Sequence, residues 1–215
     1  MNNNKPPFFR RPFKYTYFHA TLCLILVNAI MFLVCNFLPD LKYYLALNVV
    51  FVIRDKMLWQ FFTYMFVHQG ITHLVLNMIA LLFFGIGVER AIGSKEFLLF
   101  YFVCGIFSAI LSFALYYFSG NYRIFLLGAS GAVYAVLFAY AVCYPRSIIY
   151  IWGILPIPAP VMVLIYALIE LGSGFFSNSN VAHFTHLFGF LAALLFIIIR
   201  MGVNPFKIWK DTYKK

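Results

Sequence analysis

Two side chains equipped for acyl transfer sit inside apolar stretches of this chain. Ser130 lies in Gly128-Ala129-Ser130-Gly131 and is followed by the apolar run from Ala132 to Cys143. His186 lies in His186-Leu187-Phe188-Gly189 and is followed by Phe190 to Ile199. Polar groups are costly in a bilayer, and those found there usually serve function. A hydroxyl and an imidazole brought together in lipid are the minimum equipment for nucleophilic acyl transfer. The chemistry they point to is hydrolysis by a serine within the membrane.

The elements that carry them are helices. Of the 215 residues, 64% are hydrophobic and 10% charged, against about 25% charged in an ordinary soluble domain. The length therefore describes apolar helices of about 20 residues, each able to cross a bilayer. Backbone polar groups must be satisfied internally in lipid, and the apolar runs lack the alternation of barrel strands. The expected fold class is an all-α membrane protein with six spans, over 17–38, 73–92, 96–118, 127–144, 159–176 and 181–200. The fifth must start after the Pro156 to Pro160 cluster, because proline is not tolerated mid-helix. Ser147 to Leu155 before it reads as an interfacial segment. Basic segments over 1–16 and 201–215 flank the six-span domain over 17–200.

Six spans put both termini on one side, and the positive-inside rule selects the cytoplasm. That choice puts 12 of the 16 Lys and Arg residues inside, leaving Lys42, Arg54, Lys56 and Arg123 outside. The net charge of +10 then reads as orientation and contact with anionic lipid rather than nucleic-acid binding. The location expected is the cell (inner) membrane, with a retained first helix and no cleaved leader. Cys23, Cys35, Cys104 and Cys143 all fall within spans and read as small apolar residues rather than a disulfide framework. No metal-ligand spacing is evident. A zinc site built from His68, His73, His183 and His186 is the alternative, but no acidic or Cys ligand accompanies them, so the expectation is no metal and no cofactor.

With this topology spans 2, 4 and 6 all enter from outside. Their outer ends bring His73, Asn77, Ser130 and His186 to one depth. Gly128 and Gly131 let the backbone approach another helix and leave the Ser130 amide accessible at a helix N-terminus, where it suits a developing oxyanion. Gly189 and Ala193 after His186 form a small face that matches Gly131, Ala135 and Ala139 on span 4. His183 lacks a small residue at +3 and reads as structural or interfacial. His73 and Asn77 share one helix face at i, i+4, with the Asn77 amide the foremost oxyanion donor. His68 braces the preceding loop. Tyr134, one turn after Ser130, is placed to stack on His186. Glu89-Arg90 reads as structural, capping neighbouring chain ends. Glu170 is an intramembrane carboxylate, a functional candidate by default, without an assigned partner. With no Asp or Glu in a clear role at the matching depth, the expectation is a Ser–His dyad rather than a triad.

In this order the motifs resemble the rhomboid intramembrane proteases. The resemblance runs from Trp59 through Phe66-Val67-His68, His73 to Met78, Gly87-Val88-Glu89-Arg90, Gly128 to Gly131 with Tyr134, and His186 to Gly189. It implies Ser130 as nucleophile, His186 as general base, and His73, Asn77 and the Ser130 amide around the oxyanion. It also implies cleavage of transmembrane proteins near the outer end of their spans, with no ATP or metal, water reaching the site from outside, and substrate entry beside span 5. The form expected is the minimal bacterial six-helix one, without a seventh span or sizeable soluble domain. Gln60 stands where the family often has Arg, which bears on the outer loop rather than the chemistry. An inactive relative that binds or handles membrane proteins is the second reading, but such relatives typically lack the Ser or His. A small transporter is the third, but no inverted repeat is present. The natural substrate and the oligomeric state are not specified by these residues.

Overall fold

The computed structural model describes residues 7–151, 153–176 and 180–214. Lys5 and Lys215, both counted on the inner side, lie outside the described residues. The chain forms α1 (Ala20–Phe37), then a long connection of α2 (Pro39–Leu45), β1 (Leu47–Asn48), α3 (Val49–Arg54) and α4 (Gln60–Thr63). Next come α5 (Ile71–Ala80) and α6 (Ile86–Ile92), joined through a π-helical turn over Leu81–Gly85, and α7 (Ser94–Phe118). β2 (Phe125–Leu126) precedes α8 (Ser130–Cys143), and β3 (Ile148–Ile151) and β4 (Leu155–Pro158) precede α9 (Ala159–Phe176). α10 (Asn180–Phe196) ends in a second π turn over Ile197–Met201, and α11 (Pro205–Tyr213) closes the chain.

The six expected spans are α1, the continuous α5–α6 helix, α7, α8, α9, and α10 with its π turn. Four of them are long and apolar enough to cross a membrane, while α8 and α9 are shorter apolar helices. α8 is short because it is the central helix. It packs against α5, α6, α7, α9 and α10, and Ala132, Ala135, Val136, Ala139 and Ala141 along it are buried. A helix surrounded by protein need not match the hydrocarbon thickness that sets the length of a lipid-facing span. The small residues also fit a membrane interior, where close backbone approach replaces the hydrophobic drive of water.

The loops add detail to the expectation. β3 and β4 pair as an antiparallel ladder with Ile148 opposite Pro158 and Ile151 opposite Leu155, strand structure that the interfacial reading of Ser147 to Leu155 did not specify. The ladder's prolines lie on β4, an edge strand, where a missing N–H is tolerated, and α9 begins at Ala159 with Pro160 in its first turn. The basic C-terminal segment contains the docked helix α11. Asn204 caps α11, the Trp209 indole N–H donates to Ala141 O at 2.9 Å, and the Tyr213 hydroxyl donates to Pro145 O at 2.6 Å. On the same side Arg200 pairs with Glu96 through two hydrogen bonds at 2.8 and 3.0 Å, tying the end of α10 to the start of α7. Glu89 caps chain ends, as its sequence context predicts: its carboxylate accepts from the Ala20 and Thr21 amides, the Thr21 hydroxyl and the Ser94 hydroxyl.

Candidate active site

Ser130 is the first residue of α8, so its amide belongs to the first helical turn and has no intrahelical acceptor. The segment leading to it is held from the connection between α1 and α5. β2 pairs with β1, Leu126 opposite Leu47. The Asn48 side chain donates to Tyr122 O and Ile124 O at 3.1 and 3.0 Å, and the Gly128 amide donates to Tyr64 O at 3.0 Å. Gly128 has φ +119°, and a Cβ there would lie 2.7 Å from Cε1 of His73. Both the left-handed backbone and the pressed imidazole require glycine. On the far side of α8, a Cβ on Gly189 would lie 2.2 Å from the Gly131 carbonyl oxygen. The two small faces read from the sequence therefore meet, and α8 and α10 run in backbone contact beside Ser130.

His186 is fixed from two directions. Its ring stacks on Tyr134 with centroids 4.1 Å apart and planes 8° from parallel, the stacking that the spacing predicts. Its Nδ1 lies 2.9 Å from Glu170 Oε1. This corrects the expectation that no carboxylate accompanies the histidine. The same carboxylate takes His183 Nδ1 on Oε2 at 2.6 Å and the Tyr134 hydroxyl on Oε1. An ionised carboxylate can only accept, so each imidazole donates from Nδ1, which leaves Nε2 of His186 as a proton acceptor. His183, read as structural or interfacial, is thus bound into the same group.

Across the site, α5 contributes His73 and Asn77. The Asn77 Nδ2 donates one N–H to His73 O at 2.8 Å; the amide carries a second N–H, and the residue lines the cavity. His68 is buried and packs edge-on to His73, with ring centroids 5.2 Å apart. Burial, and then the neighbouring His73 ring, lower its pKa to about 4. Its ring is therefore neutral near pH 7, and it packs on His73 from the segment that precedes α5. Ser130, His186, His73, Asn77 and Tyr134, together with Tyr166 from α9, line one cavity of about 390 Å³. Among the described residues Ser130 Oγ makes no hydrogen bond, and such bonds are often long before substrate binds.

Residues 55–202 match the family model of the rhomboid domain. This chain belongs to the rhomboid family. It is 34% identical over 135 residues to the rhomboid protease GluP of Bacillus subtilis, covering 62% of this chain and 24% of that protein. It is 28% identical over 139 residues to the putative rhomboid protease YdcA of the same organism, covering 64% of each. To RHOMBOID-like protein 1 of Arabidopsis thaliana it is 28% identical over 150 residues, covering 70% of this chain and 36% of the plant protein. The match with RHOMBOID-like protein 4 of that plant likewise spans only 39% of its length. The rhomboid family contains serine intramembrane proteases, and the protein is a multi-pass membrane protein built as an all-α rhomboid bundle.

Within this rhomboid bundle Gln60 takes a structural part in the connection between α1 and α5. It is fully buried, accepts from the Asn48 amide at 3.0 Å and donates to Tyr44 O at 3.1 Å. Asn48 in turn lies on β1, which pairs with the strand that precedes Ser130. The only three-residue group among the described residues with ligand atoms close enough for a metal is Glu170, His183 and His186, within 4.8 Å of one another. Each carboxylate oxygen there is already matched to one Nδ1 at hydrogen-bond distance, which is the geometry of donors and acceptor.

The partners of Glu170 were missed in the sequence although a signal was present. Glu170 lies six residues before the end of α9 at Phe176, and His186 six after the start of α10 at Asn180. Two consecutive antiparallel helices with a short link bring residues equidistant from that link to one depth, here about 9 Å from each helix end at 1.5 Å per residue. His183 and His186, at i and i+3, then share the facing side.

Proposed function

We propose that this rhomboid is an intramembrane serine endopeptidase that cleaves transmembrane segments of other membrane proteins, with Ser130 as nucleophile and His186 as general base. The observation that carries the proposal is the shared cavity. Ser130, His186, His73 and Asn77 come from three helices and line one space inside an apolar bundle.

Ser130 Oγ attacks the scissile carbonyl carbon while His186 Nε2 takes its proton. The charge that develops on the carbonyl oxygen meets the Ser130 amide, the second N–H of Asn77 and the His73 ring. The tetrahedral intermediate collapses as His186 returns the proton to the leaving amine. A water then attacks the acyl-enzyme with His186 again as base, releasing the new carboxylate and restoring the serine. No ATP, metal or cofactor enters these steps. The bilayer supplies substrate laterally, and the basic residues support a cell-membrane location with both termini cytoplasmic.

The test is cleavage of a model transmembrane substrate by pure protein in detergent. Wild type should cleave, and a serine-directed fluorophosphonate should label it but not Ser130→Ala. Cleavage by a folded Ser130→Ala protein would sink the proposal. Wild type that binds the substrate without cutting it would favour an inactive relative that handles membrane proteins.

A further inference from the structure

We infer that Glu170 is a positioning residue for His186, so that the site works as a serine, a histidine and a glutamate held on α8, α10 and α9. The inference rests on the function proposed above and replaces the dyad reading of its machinery.

The geometry has three parts. The Nδ1 to Oε1 contact of 2.9 Å sets the tautomer, because a proton held on Nδ1 leaves the lone pair on Nε2, the nitrogen needed for Ser130. The Tyr134 ring, stacked at 4.1 Å, removes tilt about the other axis. The carboxylate is itself immobilised: three donors converge on it and its residue is 6% exposed. A group held this way is a fixed reference rather than a mobile counter-ion. Its charge also acts at the step where charge appears. As Ser130 loses its proton to His186, an imidazolium forms beside a carboxylate that is already in place, with no reorganisation required.

A carboxylate that only tied α9 to the bundle would equally bridge helices. The two roles separate in kinetics, because a positioning residue acts through His186 and a tie acts through stability. The experiment uses the full chain in detergent, a model transmembrane substrate, a fluorophosphonate probe and thermal unfolding. Glu170→Gln should lower kcat by about 10²-fold to 10⁴-fold, the range set by loss of a triad carboxylate, with KM within about twofold. The rate of Ser130 labelling should fall in parallel. Glu170→Asp should recover at least tenfold of that loss, because the charge returns at shorter reach. In a His186→Ala background Glu170→Gln should cost nothing further.

A folded Glu170→Gln protein within about threefold of wild-type kcat overturns the inference. So does a loss that vanishes when activity is expressed per folded molecule. If Glu170→Gln does not fold, Glu170→Asp carries the test: reduced kcat at constant KM supports positioning, and wild-type kcat overturns it. The outcomes also separate the two proposals. Folded wild type that neither cleaves nor labels removes the proteolytic reading and this inference together. Active wild type, dead His186→Ala and fully active Glu170→Gln remove this inference alone.

Discussion

Three carboxylates are buried among the described residues; Glu96 pairs with Arg200, and the other two, Glu89 and Glu170, have partners that differ in kind. Glu89 accepts only from groups that do not titrate: two backbone amides and two hydroxyls. Glu170 accepts from two imidazoles and a phenol, and its partners Tyr134 and His186 line the cavity beside Ser130. Along the α5–α6 helix Glu89 lies 16 residues beyond His73, roughly 24 Å of rise. Both arrangements meet the cost of burying a charge, which must be hydrogen-bonded to persist. Fixed donors make a clamp on the start of α1. Ionisable aromatic donors beside a cavity make a group whose protons and rings can take part in a reaction.

The strongest test of that contrast is a substitution that strikes one end and spares the other. Ser130→Ala should remove turnover by a factor on the order of 10⁶, as loss of a serine nucleophile does, while the melting temperature stays near that of wild type. Activity and thermal unfolding on one preparation check both halves. A large fall in stability would mean that Ser130 belongs to the packing rather than to the chemistry.

Glu89→Ala should do the reverse. It strands two buried amides and two hydroxyls, each worth about 1–3 kcal/mol when left unpaired, so a loss of at least about 3 kcal/mol is expected. Turnover per folded molecule should be unchanged. If kcat falls while stability holds, the Glu89 cluster is coupled to the site and the contrast fails.

Asn77→Ala sharpens the site end. Loss of one oxyanion donor costs about 10² to 10³ in rate, roughly 3–4 kcal/mol, and should appear in kcat more than in KM. The Ser130 amide and His73 remain, so activity is reduced rather than abolished. A packing role would instead lower the melting temperature and leave turnover intact. His183→Ala should keep much of the activity, because Oε1 still meets His186 and Tyr134 after Oε2 loses its donor. Comparing its kcat with that of His186→Ala checks which histidine is the base.

The smallest effect concerns His68. Its folded pKa of about 4 lies below the ordinary histidine value of 6.5, so the unfolded chain binds the proton more readily between those values. Stability is then fully present above about 6.5 and falls as pH drops toward 4. Melting curves at pH 7 and pH 5 should show this decline, and His68→Phe should flatten it. An equal decline in the variant would assign the effect to other groups.

Much of this architecture was legible in the residues because lipid is a one-dimensional solvent. Apolar run length reports crossing, and prolines report where a helix cannot continue. The paired small residues also foretold the contact of Gly131 with Gly189, since no side chain fits there. The spacing of Tyr134 from Ser130 placed its ring near the histidine for the same reason of helical period. Loop structure was less legible. The buried hydrogen bonds of Gln60 depend on a strand pair between Leu47 and Leu126, 79 residues apart, which no local pattern encodes.

The sequence by itself determined the span positions, the small-residue faces and the depth at which Ser130, His186, His73 and Asn77 lie. Each is a property of one helix against one axis. Only the tertiary structure decided that Glu170 belongs to His186. Depth alone leaves the rotation of each helix about its own axis free. That rotation is set by packing on α8, where the contact between Gly131 and Gly189 seats α10 and the Tyr134 hydroxyl and both imidazoles of α10 converge on Glu170.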